Sequence, residues 1–431
     1  MKPGSLTSLT ILSAFCLTVP SLLADETSGD FLYTNSSKGI TITDFTDSSA
    51  TSVVIPPQIA GTPVTRIGEG AFYNRQNLTN VTIPESVTHI DGEAFFNCIG
   101  LMDLSFPKGL TTMGYGAFTN CESLLSITLP SGLKSLGTGA FQSCRRLRSV
   151  SLPPGITMIA PYSFSDCLSL TKLTIPDGVE RIGERAFRGC EELETVIIPR
   201  SVRTIDDYGF EGCFKLQNPS LPEGIRKIGN NAFESCQSFT SVIIPASVEK
   251  IEIGAFSECP KLSKAIFLGD APASIRTNAF YSVAPDFTVY HLEGKSGFTT
   301  PKWLGYSSEV TTLAPEIEVR QPTGTPLVDG TAKKSFGAVA VDSAKREKIF
   351  TITNNGTAEL TGLAVTINGA NSKDFKITTP AKTALAINGT TTFKVTFMPT
   401  GTGTREAEIH IKGKETGENP FDIRLAGMGV K

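Results

Sequence analysis

Histidine is scarce in this chain of 431 residues, which contains only His89, His291 and His410. None accompanies a nucleophile or a carboxylate pair, so no constellation for general acid–base catalysis emerges. The sequence also has no phosphate-binding loop of the Walker type and no Cys-x-x-Cys pair for zinc. We therefore predict a protein that is not an enzyme and has no catalytic residue, cofactor or metal site, and we expect each histidine to be exposed.

An excess of charge of one sign is also missing. The chain has 39 Lys and Arg against 42 Asp and Glu, a formal net charge of −3, so nothing attracts it globally to nucleic acid. Arginines cluster between Arg145 and Arg203, but acids such as Glu184 and Asp206 lie among them. We interpret this stretch as a solvated face of mixed charge whose ion pairs each contribute little. A binding patch for an acidic partner is the alternative.

Long apolar runs are confined to the N-terminus. Lys2, an apolar run over residues 6–23 and Ala24 predict a secretory signal peptide at residues 1–24. Pro20 lies inside that run, and no later apolar stretch approaches the ~18 residues that a membrane-spanning helix needs. We predict an exported protein without a stable membrane span, either extracellular or on the cell surface, with the periplasm as the alternative.

A phenylalanine returns every 23 residues through the first two thirds of the chain. The ladder consists of Phe72, Phe95, Phe118, Phe141, Phe164, Phe187, Phe210, Phe233 and Phe256, and Phe280 follows one residue late. A fixed period of this length predicts a solenoid of stacked, similar coils. The residue before each phenylalanine is small, as a tightly packed coil interior requires.

Two local patterns occur within one repeat. Ile127 and Leu129 alternate with polar residues and predict a short strand, which Pro130 ends because it has no N–H to donate. Leu133 and Leu136 have the closer spacing of a helical or 3₁₀ turn. The predicted fold class is therefore a repeat solenoid of short parallel strands and short helical turns.

The repeat has a recognisable consensus. The string Ile-Pro-x-x-Val-x-x-Ile-Gly-x-x-Ala-Phe-x-x-Cys-x-x-Leu recurs over residues 50–306 and resembles the BspA-type leucine-rich repeats of bacterial surface proteins. The resemblance implies a leucine-rich repeat solenoid and a secreted or surface-bound binding protein, for example an adhesin.

A cysteine occupies the same site in each of eight consecutive coils. These residues are Cys98, Cys121, Cys144, Cys167, Cys190, Cys213, Cys236 and Cys259. An even number in an exported protein suggests disulfides. Side chains that stack in parallel about 5 Å apart nevertheless suit the torsion of a disulfide badly. We predict free buried thiols, with disulfides between adjacent coils or a bound metal as the alternatives.

The period is absent beyond residue 316, where short alternating runs separated by turn signals predict a β-sandwich. The segments FTITNNG (350–356) and FKVTFMP (393–399) resemble the immunoglobulin-like ASH or "choice-of-anchor D" domains of exported bacterial proteins. The predicted organisation is a signal peptide at 1–24, a β-hairpin cap at 25–54, the solenoid at 55–306, a linker at 307–315 and the immunoglobulin-like sandwich at 316–431.

Strand positions that point away from the core are the candidate partner-binding face. The candidates are Thr82, Ser105, Thr128, Ser151 and Thr174 in one row and Ser126, Ser149, Lys172 and Thr195 in the neighbouring row. A hydroxyl-rich, weakly charged face favours contact with a protein, and its lack of aromatics disfavours a glycan, because sugar faces stack on rings. Serine and threonine there are also explained by strand propensity and solubility alone.

Three functional hypotheses follow. The first is a secreted or surface protein that binds a host or envelope protein through this face, and the second is a structural spacer or scaffold of the cell envelope. The third is binding of a glycan or of an ordered surface such as ice, but Ile197, Ile243 and Ile266 interrupt the hydroxyl row.

Overall fold

The computed structural model describes residues 25–312, 314–321, 327–342, 344–354, 356, 358–386, 389–414 and 420–431. The predicted signal peptide at residues 1–24 therefore lies outside the described residues. The described chain contains two hydrophobic cores, one in a solenoid and the other in a β-sandwich.

Most coils of the solenoid contribute one short strand to its front, where the strands form four parallel groups that we call together the front sheet, and one short strand to a second sheet. The front strands are Ser52–Val54, Asn80–Thr82, Asp103–Ser105, Ser126–Thr128, Ser149–Ser151, Lys172–Thr174, Thr195–Ile197, Ser241–Ile244 and Lys264–Phe267. The strands of the second sheet are Gln58–Ile59, Thr62–Ile67, His89–Ile90, Thr112–Met113, Met158–Ile159, Arg181–Ile182, Thr204–Ile205, Lys227–Ile228, Lys250–Ile251 and Ser274–Ile275. Neighbouring coils pair in parallel and keep the 23-residue register, as between Ser126 and Ser149.

The phenylalanine ladder forms the interior wall of the coils, as predicted. From Phe72 to Phe256 every ring is fully buried, and Phe280 is 1% exposed. Successive rings lie 4.8–5.7 Å apart with planes within 14° of parallel. Each ring stacks on its neighbours because adjacent coils pair as parallel strands do, and the spacing of parallel strands is close to the distance between stacked rings.

The predicted helical turns are wrong for the described solenoid, which has hydrogen-bonded turns and a second short strand in their place. In each of the first nine coils the residues two before and two after the interior phenylalanine have positive φ, as Gly116 and Asn120 do around Phe118. A left-handed residue every fourth position cannot continue a right-handed helix. Instead, the N–H of Phe118 donates to the carbonyl of Ala140 in the next coil at 2.8 Å.

The eight repeat cysteines are free and buried. Each thiol except the first donates to the carbonyl of a ladder phenylalanine at 3.3–3.5 Å, 26 residues earlier, and Cys98 bonds Phe72 in the same way at 3.1 Å. Burial raises the pKa of Cys98 and of Cys259 to about 12, because the thiolate would lose its hydration.

We expect a thiol reagent to find almost no reactive group in the native protein and about eight in protein unfolded in denaturant. The reason is that burial both blocks access and disfavours the thiolate. A spectrophotometric thiol titration of residues 25–431 with and without denaturant measures the two values. If no thiol appeared after unfolding without reductant, the free-thiol structure would be refuted.

Caps continue the ladder at both ends of the solenoid. At the N-terminal end the strands are Glu26–Ser28, Phe31–Ser36 and Gly39–Phe45. Phe45 stacks on Phe72 at 5.4 Å, and Arg75, which stands where later coils have cysteine, donates Nε–H to the Phe45 carbonyl at 2.7 Å. The guanidinium of Arg75 thus makes the hydrogen bond to a phenylalanine carbonyl that the cysteine thiol makes in the later coils.

At the C-terminal end the strands are Thr288–Leu292, Lys302–Trp303 and Tyr306–Thr311. Phe287 packs on Phe280 with ring centres 4.9 Å apart. His291 is 6% exposed and stacks on Phe298, so the expectation that it is exposed is wrong. The first residues of the predicted linker form the strand that pairs in parallel with Thr288–Leu292.

The C-terminal unit is a sandwich of two four-stranded sheets. One sheet has the order Ile317–Arg320, Arg346–Asn354, Thr390–Phe397 and Phe375–Ile377, and the other has the order Ala332–Ala340, Phe421–Val430, Gly403–Lys412 and Ala364–Asn368. A single 3₁₀ turn, Ser372–Asp374, precedes Phe375. Phenylalanines at positions 336, 350, 375, 393 and 397 fill the space between the sheets.

Candidate binding face

All nine predicted face residues lie on exposed strand positions of the front sheet. In each three-residue strand the middle side chain points into the core and the outer two point outward. Thr82 is in register with Ser105, and Thr128 is in register with Ser151. The outward side chains of successive coils therefore form straight rows, and we call this surface the front face.

The rows are interrupted after Thr195. Asn218 and Ser220 occupy the next repeat positions, but the structure has no strand there. Pro219 stands between them and cannot donate to a neighbouring coil. Asn218 instead accepts two backbone N–H bonds through its side chain, from Thr240 and Ser241.

The C-terminal coils do not present an open front face. Ile243 and Ile266 point outward between inward-facing neighbours, yet they are only 6% and 7% exposed. A cavity of about 820 Å³ near the break in the rows is lined by Thr195 and Ile197 of the solenoid and by Arg320 of the sandwich, among other residues. The open front face, in which every outward side chain of the first row is exposed, extends from Thr82 to Thr174.

One rim of the open face carries apolar and basic side chains. Met102 and Leu125, directly before the strands of adjacent coils, are 49% and 40% exposed. Arg148 holds the same position one coil further along, with Arg146 beside it and Lys172 in the next strand. Within the described residues these three cations form no ion pair. The rim therefore offers uncompensated positive charge next to apolar surface.

Four of the six other arginines of the predicted mixed cluster pair with acids within the described residues, three of them across neighbouring coils. Arg181 bonds Asp206 at 2.5 Å, and Arg188 bonds Glu211 at 2.7 Å. Arg185 pairs with its neighbour Glu184. The described part of the cluster is thus largely a self-compensated surface, and such exposed pairs contribute ~0–1 kcal/mol each.

The described residues contain no cluster of three or more His, Cys, Asp or Glu that could hold a metal ion. The His89 ring forms a hydrogen bond with Thr88 Oγ at 2.8 Å, and His410 pairs with Asp422 at 2.6 Å. No helix in the described ranges has the length and apolar character needed to cross a membrane.

Sequence reasoning missed a second surface, which lies where each coil turns around its interior phenylalanine. We define this turn edge as the residues from three before to two after that phenylalanine, 69–74 in the first coil. Five of the chain's eight tyrosines lie on it: Tyr73, Tyr115, Tyr162, Tyr208 and Tyr281. The signal was available as an enrichment of tyrosine at one part of the repeat.

Two aromatic groups are organised along the turn edge. Tyr162, Arg185 and Tyr208 form a ladder in which the guanidinium lies 5.5 Å and 4.4 Å from the two ring centres. In the first coils, Tyr73 stacks on Phe96 at 5.1 Å. The rings of the first ladder are thus occupied by a cation, whereas the second group leaves ring surface exposed.

The family model described as "BspA type Leucine rich repeat region (6 copies)" matches residues 38–171 and 157–284, more than half of the chain. The model "Cep192 domain 4" matches residues 326–430. No curated protein sequence matches the chain.

Solved structures show similarity to both units. A leucine-rich repeat protein of T. pallidum (TpLRR) is 28% identical, and the match covers 56% of this chain and 91% of that one at a TM-score of 0.37. A leucine-rich cell surface protein of Faecalibacterium prausnitzii is 22% identical, and the match covers 67% of this chain and 95% of that one at a TM-score of 0.38. The ASH / PapD-like domain of human CEP192 is 12% identical, and the match covers 32% of this chain and 95% of that one at a TM-score of 0.20.

Proposed function

Because this chain belongs to the BspA-type leucine-rich repeat family, we propose that it is an exported, non-enzymatic surface protein that binds a protein partner through its open front face. Proteins built on such repeats generally act in protein–protein interaction or adhesion. Export through the signal peptide at residues 1–24, and a host or envelope protein as the partner, are parts of the same proposal.

The observation that carries the proposal is the uninterrupted run of five outward side chains from Thr82 to Thr174. All are exposed and short, and backbone pairing joins the strands of Thr82 and Ser105 and those of Thr128 and Ser151. Such a surface is rigid before binding, so a partner loses little conformational freedom of the solenoid on docking. Extended sheet surfaces of solenoids are suited to partner binding for this reason.

The size of the face indicates that its rim takes part in binding. Five strands span about 20 Å at the usual spacing of parallel strands, and two rows of small side chains across that length supply only part of the ~800 Å² that a stable interface buries on each partner. Met102 and Leu125 add apolar area, and Arg148 adds positive charge. A partner with an apolar surface bordered by acids fits this rim.

Replacing Thr128, Ser151 and Thr174 with glutamate should weaken partner binding at least about 100-fold. Each carboxylate left unpaired in an interface costs about 1–3 kcal/mol, and 1.4 kcal/mol corresponds to tenfold in affinity. The measurement is a pull-down with residues 25–431 as bait from envelope and host-surface extracts, followed by titration of the captured protein against both baits.

A matched control adds the same three charges to the second sheet, as Thr112→Glu, Ser135→Glu and Met158→Glu, and should leave binding unchanged. These positions lie in nearby coils and are outward-facing and partly or fully exposed. Equal capture by wild type and by the front-face variant would remove the front face as the binding site and favour the spacer hypothesis.

A further inference from the structure

We propose that the turn edge of the first three coils, which carries Tyr73, Phe96 and Tyr115, is a binding site for a neutral oligosaccharide. This site is separate from the front face, lies on the turns that follow the strands of the second sheet, and does not depend on the protein partner proposed above.

The ring of Tyr115 is held flat against the backbone of the preceding coil. A Cβ at Gly92 would lie 2.3 Å from Cε1, 2.7 Å from Cδ1 and 2.9 Å from Cζ of the ring. Three ring atoms this close show that one face of the ring covers the glycine, and any side chain at position 92 would displace it. Tyr115 is still 50% exposed, so its other face is open to solvent.

A hydrogen bond fixes this ring in place. The Tyr115 hydroxyl donates to Glu69 Oε1, two coils away, at 2.5 Å. The side chain thus spans three coils along the solenoid axis and is anchored at its far end. An aromatic face that is exposed and immobilised loses little entropy when a ligand stacks on it.

Tyr73 and Phe96 provide a second aromatic surface on the same edge. Their rings are 5.1 Å apart and within 6° of parallel, and Tyr73 is 46% exposed. A Cβ at Gly70 would lie 3.8 Å from the Tyr73 Cβ, so the turn leaves room beside this ring. The edge therefore offers two aromatic surfaces rather than one isolated ring.

Hydrogen-bonding groups accompany the rings. Glu93 supplies a carboxylate at the position where the next two coils have Gly116 and Gly139. Asn97 donates to Asn74 at 2.6 Å along the same turn, so amide groups line the edge beside the carboxylate.

The combination fits a sugar better than other ligands. The C–H face of a pyranose carries partial positive charge and stacks on the negative face of an aromatic ring. Its hydroxyls can donate to Glu69 and Glu93 and bond the asparagine amides. The two carboxylates would repel uronic or sulfated sugars at this distance, so the ligand class is neutral.

Saturation-transfer NMR on residues 25–431 tests the proposal with four neutral probes: cellotetraose, maltotetraose, mannotetraose and chitotetraose. We expect at least one probe to receive transfer at the protons of its ring face. Tyr115→Ala should weaken its binding at least about tenfold, and Tyr73→Ala should weaken it as well. Gly92→Ala should also weaken binding, because the new methyl displaces the Tyr115 ring without removing it.

Tyr281→Ala is the matched control. Tyr281 is 64% exposed and follows its interior phenylalanine as Tyr73 does, but lies in the last coil, so binding should be unchanged. The front-face triple glutamate variant should also bind normally, which separates this proposal from the protein-binding one. Circular dichroism verifies that each variant is folded.

The proposal is overturned if none of the four probes receives transfer. It is also overturned if binding survives Tyr73→Ala and Gly92→Ala in folded protein, whether or not Tyr115→Ala folds. Loss of binding in the Tyr281→Ala control to the same extent would likewise contradict a site in the first three coils.

Discussion

Replacing Phe164 with alanine is expected to lower the free energy of unfolding of the solenoid by about 3–5 kcal/mol. The ring is fully buried and stacks on Phe141 at 5.7 Å and on Phe187 at 5.6 Å. Its removal loses the free energy gained by moving the ring from water into the core. It also leaves a cavity that the rigid coils on either side cannot close. Urea unfolding of residues 25–431 measures the change.

The loss should be local, because each coil packs mainly against the coils on either side of it. Hydrogen exchange read by mass spectrometry should accelerate most in the coils of Phe141, Phe164 and Phe187 and little in the sandwich. Tyr281→Ala, which truncates an exposed aromatic, is the control and should change stability by no more than about 0.5 kcal/mol. Uniform acceleration over the whole solenoid would contradict a one-dimensional array.

Asp374→Ala is expected to destabilise the sandwich by about 3–5 kcal/mol, because it breaks a buried ion pair and leaves one partner uncompensated. The Asp374 side chain is 1% exposed and accepts from Arg405 Nε at 2.5 Å and from the hydroxyl of Thr400 at 2.7 Å. It joins the 3₁₀ turn to the loop and strand that follow Phe397. Exchange rates of the strands Arg346–Asn354 and Gly403–Lys412 measure the effect in the full chain.

The same carboxylate makes the sandwich acid-sensitive. Burial by itself raises the pKa of Asp374, but the hydrogen bonds from Arg405 and Thr400 outweigh it and hold the pKa below its usual range. A lowered native pKa stabilises the fold above the unfolded value of about 3.9, and this contribution is lost as the pH falls below it. The Asp374→Ala variant should therefore show a flatter dependence of sandwich stability on pH below about 5.

Glu406→Ala is the matched control for this prediction. Glu406 lies on the same strand as Arg405 but pairs with Lys333 at the surface, where both side chains are more than 60% exposed. Its removal should cost less than about 1 kcal/mol and leave the acid dependence unchanged. A similar effect of the two variants would contradict the assignment of the effect to the buried ion pair of Asp374.

The regular parts of this fold were predictable from the sequence. A 23-residue period in phenylalanine, proline and cysteine leaves stacked coils as the arrangement that buries every ring, and the structure confirms it. The free thiols followed from the same argument, because residues such as Cys121 and Cys144 occupy equivalent sites whose side chains point the same way.

The turns were not predictable from hydrophobic spacing. Leu133 and Leu136 show a spacing of three because the chain folds through successive tight turns, not because it forms a helix. The strand His89–Ile90 has only two residues, too few for an alternating pattern to be recognised. The better signal was the residue two after each phenylalanine, such as Asn97 or Gly189, since these are the types that accept positive φ.

The candidate face was predictable in its direction but not in its extent. Alternation along a strand specifies that Thr128 and Ser151 point outward. Burial of Ile243 and Ile266 depends on what lies over the sheet from outside, and repeat analysis of one coil carries no information on that. The tyrosines of the turn edge were missed because they occupy positions that the repeat leaves variable.

The hydrogen bonds that join one coil to the next run along the axis of the solenoid, as the one from Phe118 to Ala140 does. A pull between the two ends of the solenoid therefore acts on the bonds of one coil at a time rather than on the whole array. A coil that opens releases 23 residues, about 75 Å of extended chain, in place of a rise of about 5 Å. A solenoid pulled in this way is expected to lengthen in steps of about one coil, while the coils still closed keep their shape.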